Sequence, residues 1–341
     1  MIINKTFVIN LLSREDRWTN INKDFVNTGL TLEKWNAVYG KKLSEKYISN
    51  NTTNKCYYFC SPSMIGCWLS HYKLWKYIVK NKYDNVLILE DDAYPVYQNE
   101  EFQQKLNEYW TQVPEDWDMV YLGCFGTCDQ ASTEKNFFSL YSGKNNEKVY
   151  KNNILQPNIV IPGFPLGTHA YMLSYKGAKK LINSNKFNKV DYHLDYFIAT
   201  YINNNKDFKV YAFIPQLIKQ HMESQYSDNQ SECYPLLSKL TKNINASNQH
   251  TIDSLANIQV INIRKLNTSI TLFAIILFVI ALMVGLFTGN FNRYFIYIIL
   301  IYFLMELVYG KFKHYKEYIL NIILLFVFMK LGIITRIYLV K

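Results

Sequence analysis

Glu90, Asp91 and Asp92 stand side by side, directly after the apolar run NVLIL at 85–89. Three adjacent carboxylates repel one another unless a cation or hydrogen bonds neutralise them. A hard divalent ion such as Mn²⁺ or Mg²⁺ suits oxygen ligands of this kind and can hold phosphate oxygens in its open positions. An acidic run alone is more often a solvated surface, so its setting decides. This one closes a continuous apolar segment of the type found in strands buried on both faces. Ligands in α/β sheets collect at the carboxyl ends of such strands. The sequence therefore predicts a site for a divalent cation and a phosphate group at 90–92.

The elements that must hold this site can be read on either side of it. A strand is expected over 6–11 (TFVINL), then a polar turn with Ser13, Arg14 and Asp16, then a helix carrying Trp18, Ile21 and Phe25 at helical spacing. Gly29 suits the end of that helix, because glycine readily takes the left-handed C-cap conformation. A second helix begins near Pro62 and presents Ile65, Trp68, Leu69, Tyr72, Trp75 and Val79 on one face. After the acidic triplet come a helix over 102–113, a strand over 118–122 and a polar loop or insertion over 127–158. Further expected elements are a strand at 168–174, helices at 176–182 and 191–202, and a strand at 209–214. Strands alternating with helices imply an α/β sheet covered on both faces.

The chain has 341 residues, of which 49% are hydrophobic and 19% charged, a balance that excludes a disordered chain. Its net charge is +10, but residues 264–341 hold nine Lys or Arg against two Glu, or +7, leaving +3 for residues 1–263. A domain near +3 lacks the concentrated basic footprint of a nucleic-acid binder. The excess accompanies three apolar stretches, 270–287, 294–309 and 318–340, the latter two interrupted by Glu306, Lys330 and Arg336. The expected organisation is a soluble-type domain at 1–237, a polar linker at 238–267, and a membrane region at 268–341 with two or three transmembrane helices. Arg264 and Lys265 before the first stretch, and Lys311, Lys313 and Lys316 before the third, place the N-terminal domain on the cytosolic side. No secretory signal is read at the N-terminus. Six cysteines, at 56, 60, 67, 124, 128 and 233, lack the CxxC spacing and companion histidine of a zinc site, and are expected to be free thiols in a reducing compartment.

Several segments recur in a recognisable order. They are VINL at 8–11 with Arg14, Asp16 and Arg17; NAVYG at 36–40; IGCWLSH at 65–71; LILEDDA at 87–93; GTHAY at 167–171; and KGAKKL at 176–181. Together, across residues 1 to about 228, they resemble glycosyltransferase family 25, which includes bacterial lipooligosaccharide and procollagen galactosyltransferases. The apolar tail has no counterpart in the family's pattern. The resemblance implies a GT-A type fold, a UDP-sugar donor (UDP-galactose or UDP-glucose) and inversion at the anomeric carbon.

It also implies roles. Asp92 would bind the metal, with Glu90 or Asp91 reaching the ribose or orienting it. Asn10, Arg14 and Arg17 would line the nucleotide, the arginine forks suiting diphosphate oxygens. Ser70 and His71 would border the donor, and His221 would return as a late metal ligand. Asp191 is the first choice for acceptor binding or general base, and Asp195 the second. Plainer roles stay open beside these: a turn cap for Glu90, a surface pair for Arg17, a core histidine at His71 or His169, a helix N-cap at Asp191. Trp68, Tyr94 and Tyr171 fit either a sugar floor or core packing.

The reading that follows is a membrane-anchored, metal-dependent transferase, with a glycan, glycolipid or protein hydroxyl as acceptor. A tethered binding module that has lost turnover, or a divalent-metal phosphohydrolase using the same carboxylates, are the alternatives.

Overall fold

The computed structural model describes residues 3–126, 153–221, 259–263, 268–289, 291–309 and 315–339. The chain divides into two compact units, Met1–Thr53 with Pro62–Tyr226, and Asn54–Ser61 with Ser227–Lys341.

The first unit opens with β1 (Lys5–Asn10) and α1 (Glu15–Phe25), whose acidic first turn, Glu15 and Asp16, suits the positive end of the helix. Gly29 follows with φ of +72°, the conformation its lack of a Cβ permits. Next come β2 (Leu32–Asn36), α2 (Glu45–Asn51), α3 (Asn54–Phe59, in the second unit) and α4 (Pro62–Asn81). Then follow β3 (Val86–Glu90), β4 (Ala93–Pro95), α5 (Asn99–Trp110) and β5 (Met119–Gly126). Beyond residue 152 the chain adds β6 (Asn153–Gln156), β7 (Ile159–Ile161), β8 (Pro165–Leu173), α6 (Tyr175–Asn183), α7 (Leu194–Asn204), β9 (Val210–Phe213) and β10 (Ile218–Gln220).

Eight of these strands form one mixed sheet in the order β2-β1-β3-β8-β5-β9-β7-β6. β1, β2 and β3 are parallel, and β8 runs antiparallel to both β3 and β5. The expected α/β sheet is therefore present, but with an antiparallel strand at its centre. Val86, Leu87, Ile88 and Leu89 are fully buried, which explains why β3 reads as an unbroken apolar run. One face packs Val8, Leu87, Leu89, Val120 and Met172 beneath Ile21 and Phe25 of α1 and Phe102, Leu106 and Tyr109 of α5. On α4, Trp68 packs edge-on against Phe197 and tilted against Phe187, Trp75 packs edge-on against Phe187, and Trp68 Nε1 donates to the Phe187 carbonyl at 3.1 Å. Trp68 is thus a core residue.

Two further arrangements fix the sheet's functional edge. Residues 36–40 lie against the start of α4 so closely that a Cβ on Gly40 would sit 1.7 Å from the Pro62 carbonyl oxygen, and one on Gly66 2.5 Å from that of Val38. A separate two-stranded ribbon pairs β4 with β10, setting Gln220 opposite Ala93.

The second unit contains the hairpin of β11 (Gln259–Ile263) and β12 (Thr268–Thr271), then α8 (Leu272–Thr288), α9 (Phe291–Tyr309) and α10 (Tyr315–Leu339). β11 lies inside the stretch expected to be a linker, whose other residues up to 258 fall outside the described ones, as do residues 127–152 of the expected polar insertion. Thr271 caps α8 by accepting from the Ala274 amide, and Gly289 ends it with φ of +63°. α8 and α10 approach with backbones nearly touching: a Cβ on Gly285 would be 2.2 Å from the Met329 carbonyl oxygen, and one on Gly332 2.1 Å from that of Leu282. Small residues at such crossings are characteristic of helices packed in lipid.

Two or three spans were expected. Among the described residues, only Tyr318–Leu339, 22 residues with mean hydropathy 2.2, is long and apolar enough by itself to cross a bilayer. α8 has 17 residues, about 26 Å of helix against a hydrocarbon core of about 30 Å. The cysteine expectation is also corrected. Cys56 and Cys60 form a disulfide, their Cα atoms 4.7 Å apart at the end of α3, and Cys124 is likewise disulfide-bonded. One helical turn brings residues four apart within bridging reach, so a CxxxC spacing on a helix suits a disulfide.

Candidate active site

β1 and β3 lie side by side and run the same way, so Asn10 and Glu90 end at the same edge of the sheet, and the carboxylate triplet turns over that edge. Each carboxylate meets a different environment. Asp91 Oδ2 accepts from Asn10 Nδ2 at 2.7 Å and its Oδ1 from Arg17 at 2.9 Å. Both Asp91 and Arg17 are buried. Burial raises the Asp91 carboxyl above its ordinary range, against the pull of Arg17 and Asn10. The resemblance put Arg17 beside the nucleotide and Glu90 or Asp91 at or near the ribose; in the structure Arg17 and Asp91 form a buried ion pair. Arg14 forms a two-pronged pair with Asp16 on the exposed side of the same turn.

Glu90 Oε1 accepts from Thr168 Oγ1 at 2.5 Å and meets His71 Nε2 at 3.3 Å. Burial would raise Glu90, but the hydrogen bond of His71, helped by Thr168, brings it below the usual carboxylate range. Asp92, 5% exposed, has fewer supports. Its Oδ2 accepts from Gln220 Nε2 at 2.8 Å, while Oδ1 is buried with no hydrogen-bond partner. Burial first, then the charges of Glu90 and Asp91, push its carboxyl well above its ordinary range. Carboxylate and amide oxygens of this kind are among the donors that suit a hard divalent cation.

Cys67, one turn before His71 on α4, feels the charges of Glu90, Asp195 and Asp92, which add to burial in raising its thiol. Its sulfur and the donor atoms of His71 and Glu90 all lie within 4.8 Å of one another. Asp195 joins this neighbourhood, its Oδ2 accepting the Gly167 amide at 3.1 Å. Asp191, the first choice from sequence for acceptor binding or general base, accepts from Thr53 Oγ1 at 2.7 Å, beside the bridge between Thr52 and Val190.

The remaining sequence candidates are placed as follows. Ser70 uses its hydroxyl within the fold, donating to the Gly66 carbonyl and accepting the Val38 amide at 2.8 Å. The His221 amide donates to the Asp92 carbonyl, its ring lies tilted against Tyr94 at 4.4 Å, and its Nε2 meets Asp24 at 3.3 Å. His169 is buried beside Phe125, and burial holds it neutral, with its pKa lowered to about 4. Thr168, Gln220 and Cys67 were missed as site residues. All three lie in or beside motifs whose other members drew attention, and only the pairing of β4 with β10 brings Gln220 to Asp92.

With this geometry in hand, comparison with known proteins is informative. The model of glycosyltransferase family 25 (LPS biosynthesis protein) matches residues 3–198, more than half of the chain. The chain belongs to glycosyltransferase family 25. That match takes in β1, the 36–40 loop, the triplet, the GTHAY segment and Asp195. Procollagen galactosyltransferase 2 of Homo sapiens is 25% identical over 236 residues, 67% of this chain and 32% of that protein. Procollagen galactosyltransferase 1-A of Xenopus laevis is 24% identical over 243 residues, 67% of this chain and 33% of that protein. A glycosyltransferase 25 family member of Drosophila melanogaster is 27% identical over 198 residues, 55% of this chain and 29% of that protein. The chain thus spans about a third of the length of these curated relatives.

Proposed function

We propose that the first unit is a GT-A type, inverting transferase. It moves a hexose from UDP-galactose or UDP-glucose to a hydroxyl of a glycan, glycolipid or protein. The observation that carries this reading is the buried, partnerless Oδ1 of Asp92 at the end of β3, within a family 25 domain. Asp92 would hold Mn²⁺ or Mg²⁺, with Gln220 fixing its other oxygen. Such an ion, when bound, draws off the charge that builds on a leaving diphosphate. Both hydrogen bonds of Glu90 among the described residues end on Oε1, leaving Oε2 to accept from a ribose hydroxyl. Asn10 and Arg17 act indirectly, by holding Asp91 and hence the turn.

Inverting transfer needs a base to take the acceptor's proton. Asp195 is the better choice, because it lies with Glu90 and Asp92 around Cys67 and is oriented by the Gly167 amide. Asp191 is left to acceptor binding. Relatives named procollagen galactosyltransferases favour galactose as the sugar. The apolar helices of the second unit would anchor the chain in a membrane, and the charges flanking them favour a cytosolic catalytic domain.

Full-length protein in detergent, offered UDP-galactose, UDP-glucose and UDP-N-acetylglucosamine in turn, tests the reading. Slow release of UDP from one hexose donor, abolished by EDTA, is expected. A folded protein that neither hydrolyses a UDP-sugar nor binds UDP overturns it.

A further inference from the structure

Behind Glu90 runs an ordered chain of hydrogen bonds whose proton positions follow from chemistry. The Trp75 indole N–H can only donate, and it donates to the Tyr171 hydroxyl oxygen at 2.8 Å. The single Tyr171 proton is then directed to its other neighbour, His71 Nδ1, also at 2.8 Å. That makes Nδ1 the acceptor, so the His71 proton resides on Nε2, facing Glu90 Oε1 at 3.3 Å. All three members are fully buried, with the His71 and Tyr171 rings stacked at 5.8 Å. The Trp75 end is itself clamped by Phe187. The chain joins α4 and the end of β3, neighbours in sequence, to β8, which lies some 75 residues further on.

We propose that Trp75, Tyr171 and His71 form a positioning relay that, with Thr168, holds Glu90 Oε1 and thereby aims Oε2 at the donor's ribose. This deepens the transferase reading and rests on it. None of the three touches the donor; they act through Glu90. The arrangement also explains a buried histidine and a buried tyrosine hydroxyl that core packing alone does not require, since a phenylalanine would fill the space of Tyr171. It directs the Nε2 proton toward Glu90, leaving that nitrogen no lone pair for a metal at the Cys67, His71 and Glu90 cluster.

The test is UDP binding in the presence of Mn²⁺, by titration calorimetry on the full-length protein, with thermal unfolding measured alongside. Tyr171→Phe, Trp75→Phe and His71→Leu each break the relay. His71→Gln places an amide N–H near the position of Nε2 and is the rescue variant. The expected result is about tenfold weaker UDP binding for Tyr171→Phe and His71→Leu, the scale of one hydrogen bond to a charged group. His71→Gln should bind within a few-fold of wild type. If His71→Leu does not fold, Tyr171→Phe, which keeps its ring and loses only the hydroxyl, carries the test. UDP binding unchanged in the relay variants but lost in Asp92→Ala overturns the relay and spares the site. If wild type binds no UDP, the donor-site reading fails and the relay's role with it.

Discussion

Replacing Asp92 by asparagine separates two consequences of its burial. The carboxylate is buried with one oxygen unpartnered beside two other acids, so without a cation it opposes folding. Asp92→Asn should therefore stabilise EDTA-treated protein by about 1–2 kcal/mol, while removing the rise in melting temperature that Mn²⁺ gives wild type. Equal melting responses to Mn²⁺ in both proteins would count against the site. His169 supplies a pH test of a different kind. Its folded pKa is lowered from 6.5 to about 4 by burial, so its contribution is complete above pH 6.5 and is lost as pH falls toward 4. His169→Gln should flatten the fall in unfolding free energy between pH 6.5 and 4 by on the order of 3 kcal/mol. Denaturant curves of the two proteins at four pH values would show it, and parallel curves would refute it. Asp92 and Glu90 were legible as residues because a buried-strand pattern ended on them. Their division of labour was not, because it depends on Gln220, Thr168 and His71, which approach from other elements.

At the scale of elements, the contact between the 36–40 loop and α4 is the one most sensitive to a single methyl group. Gly66→Ala would place a Cβ 2.5 Å from the Val38 carbonyl oxygen and 2.9 Å from the Gly40 amide nitrogen, both of them backbone. The Ser70 hydroxyl bonds the same loop, so neither side can withdraw without breaking the Val38 amide bond. A loss of about 2–3 kcal/mol, with a lower melting temperature, is expected for Gly66→Ala; a melting temperature equal to wild type contradicts the packing. α1 and α4 were legible because their apolar side chains recur with the helical period, and β1 and β3 because each is a short apolar run of the buried-strand type. β2 and β4 were not, since LEKWN is mostly half-buried without alternation and AYP is three residues long. Nor was the antiparallel course of β8, since strand direction is a property of pairing that no local pattern encodes.

At the scale of the whole chain, the helices after residue 271 expose Ile276, Ile280, Phe287, Ile296, Leu300, Ile323 and Leu331, among other large apolar side chains. An apolar exterior of this kind is at home in lipid. The full-length protein should stay with membranes through alkaline carbonate extraction and enter solution only with detergent; release by carbonate alone would exclude anchoring. Sidedness is open to a second experiment, because two observations pull apart. Flanking charge favours a cytosolic domain, whereas a Cys56–Cys60 bridge persists best in an oxidising compartment. Protease added to sealed inside-out vesicles should cleave within the first unit if charge governs, and protection would reverse the orientation. The most direct measurement of the central claim is Mn²⁺ binding by full-length wild type and Asp92→Asn, followed as loss of the free-ion paramagnetic signal with and without UDP. The account predicts that wild type binds Mn²⁺ and that UDP tightens this binding by at least about tenfold, a coupling of about 1.4 kcal/mol, with both effects lost in Asp92→Asn. Mn²⁺ binding and UDP coupling that survive in Asp92→Asn would contradict it.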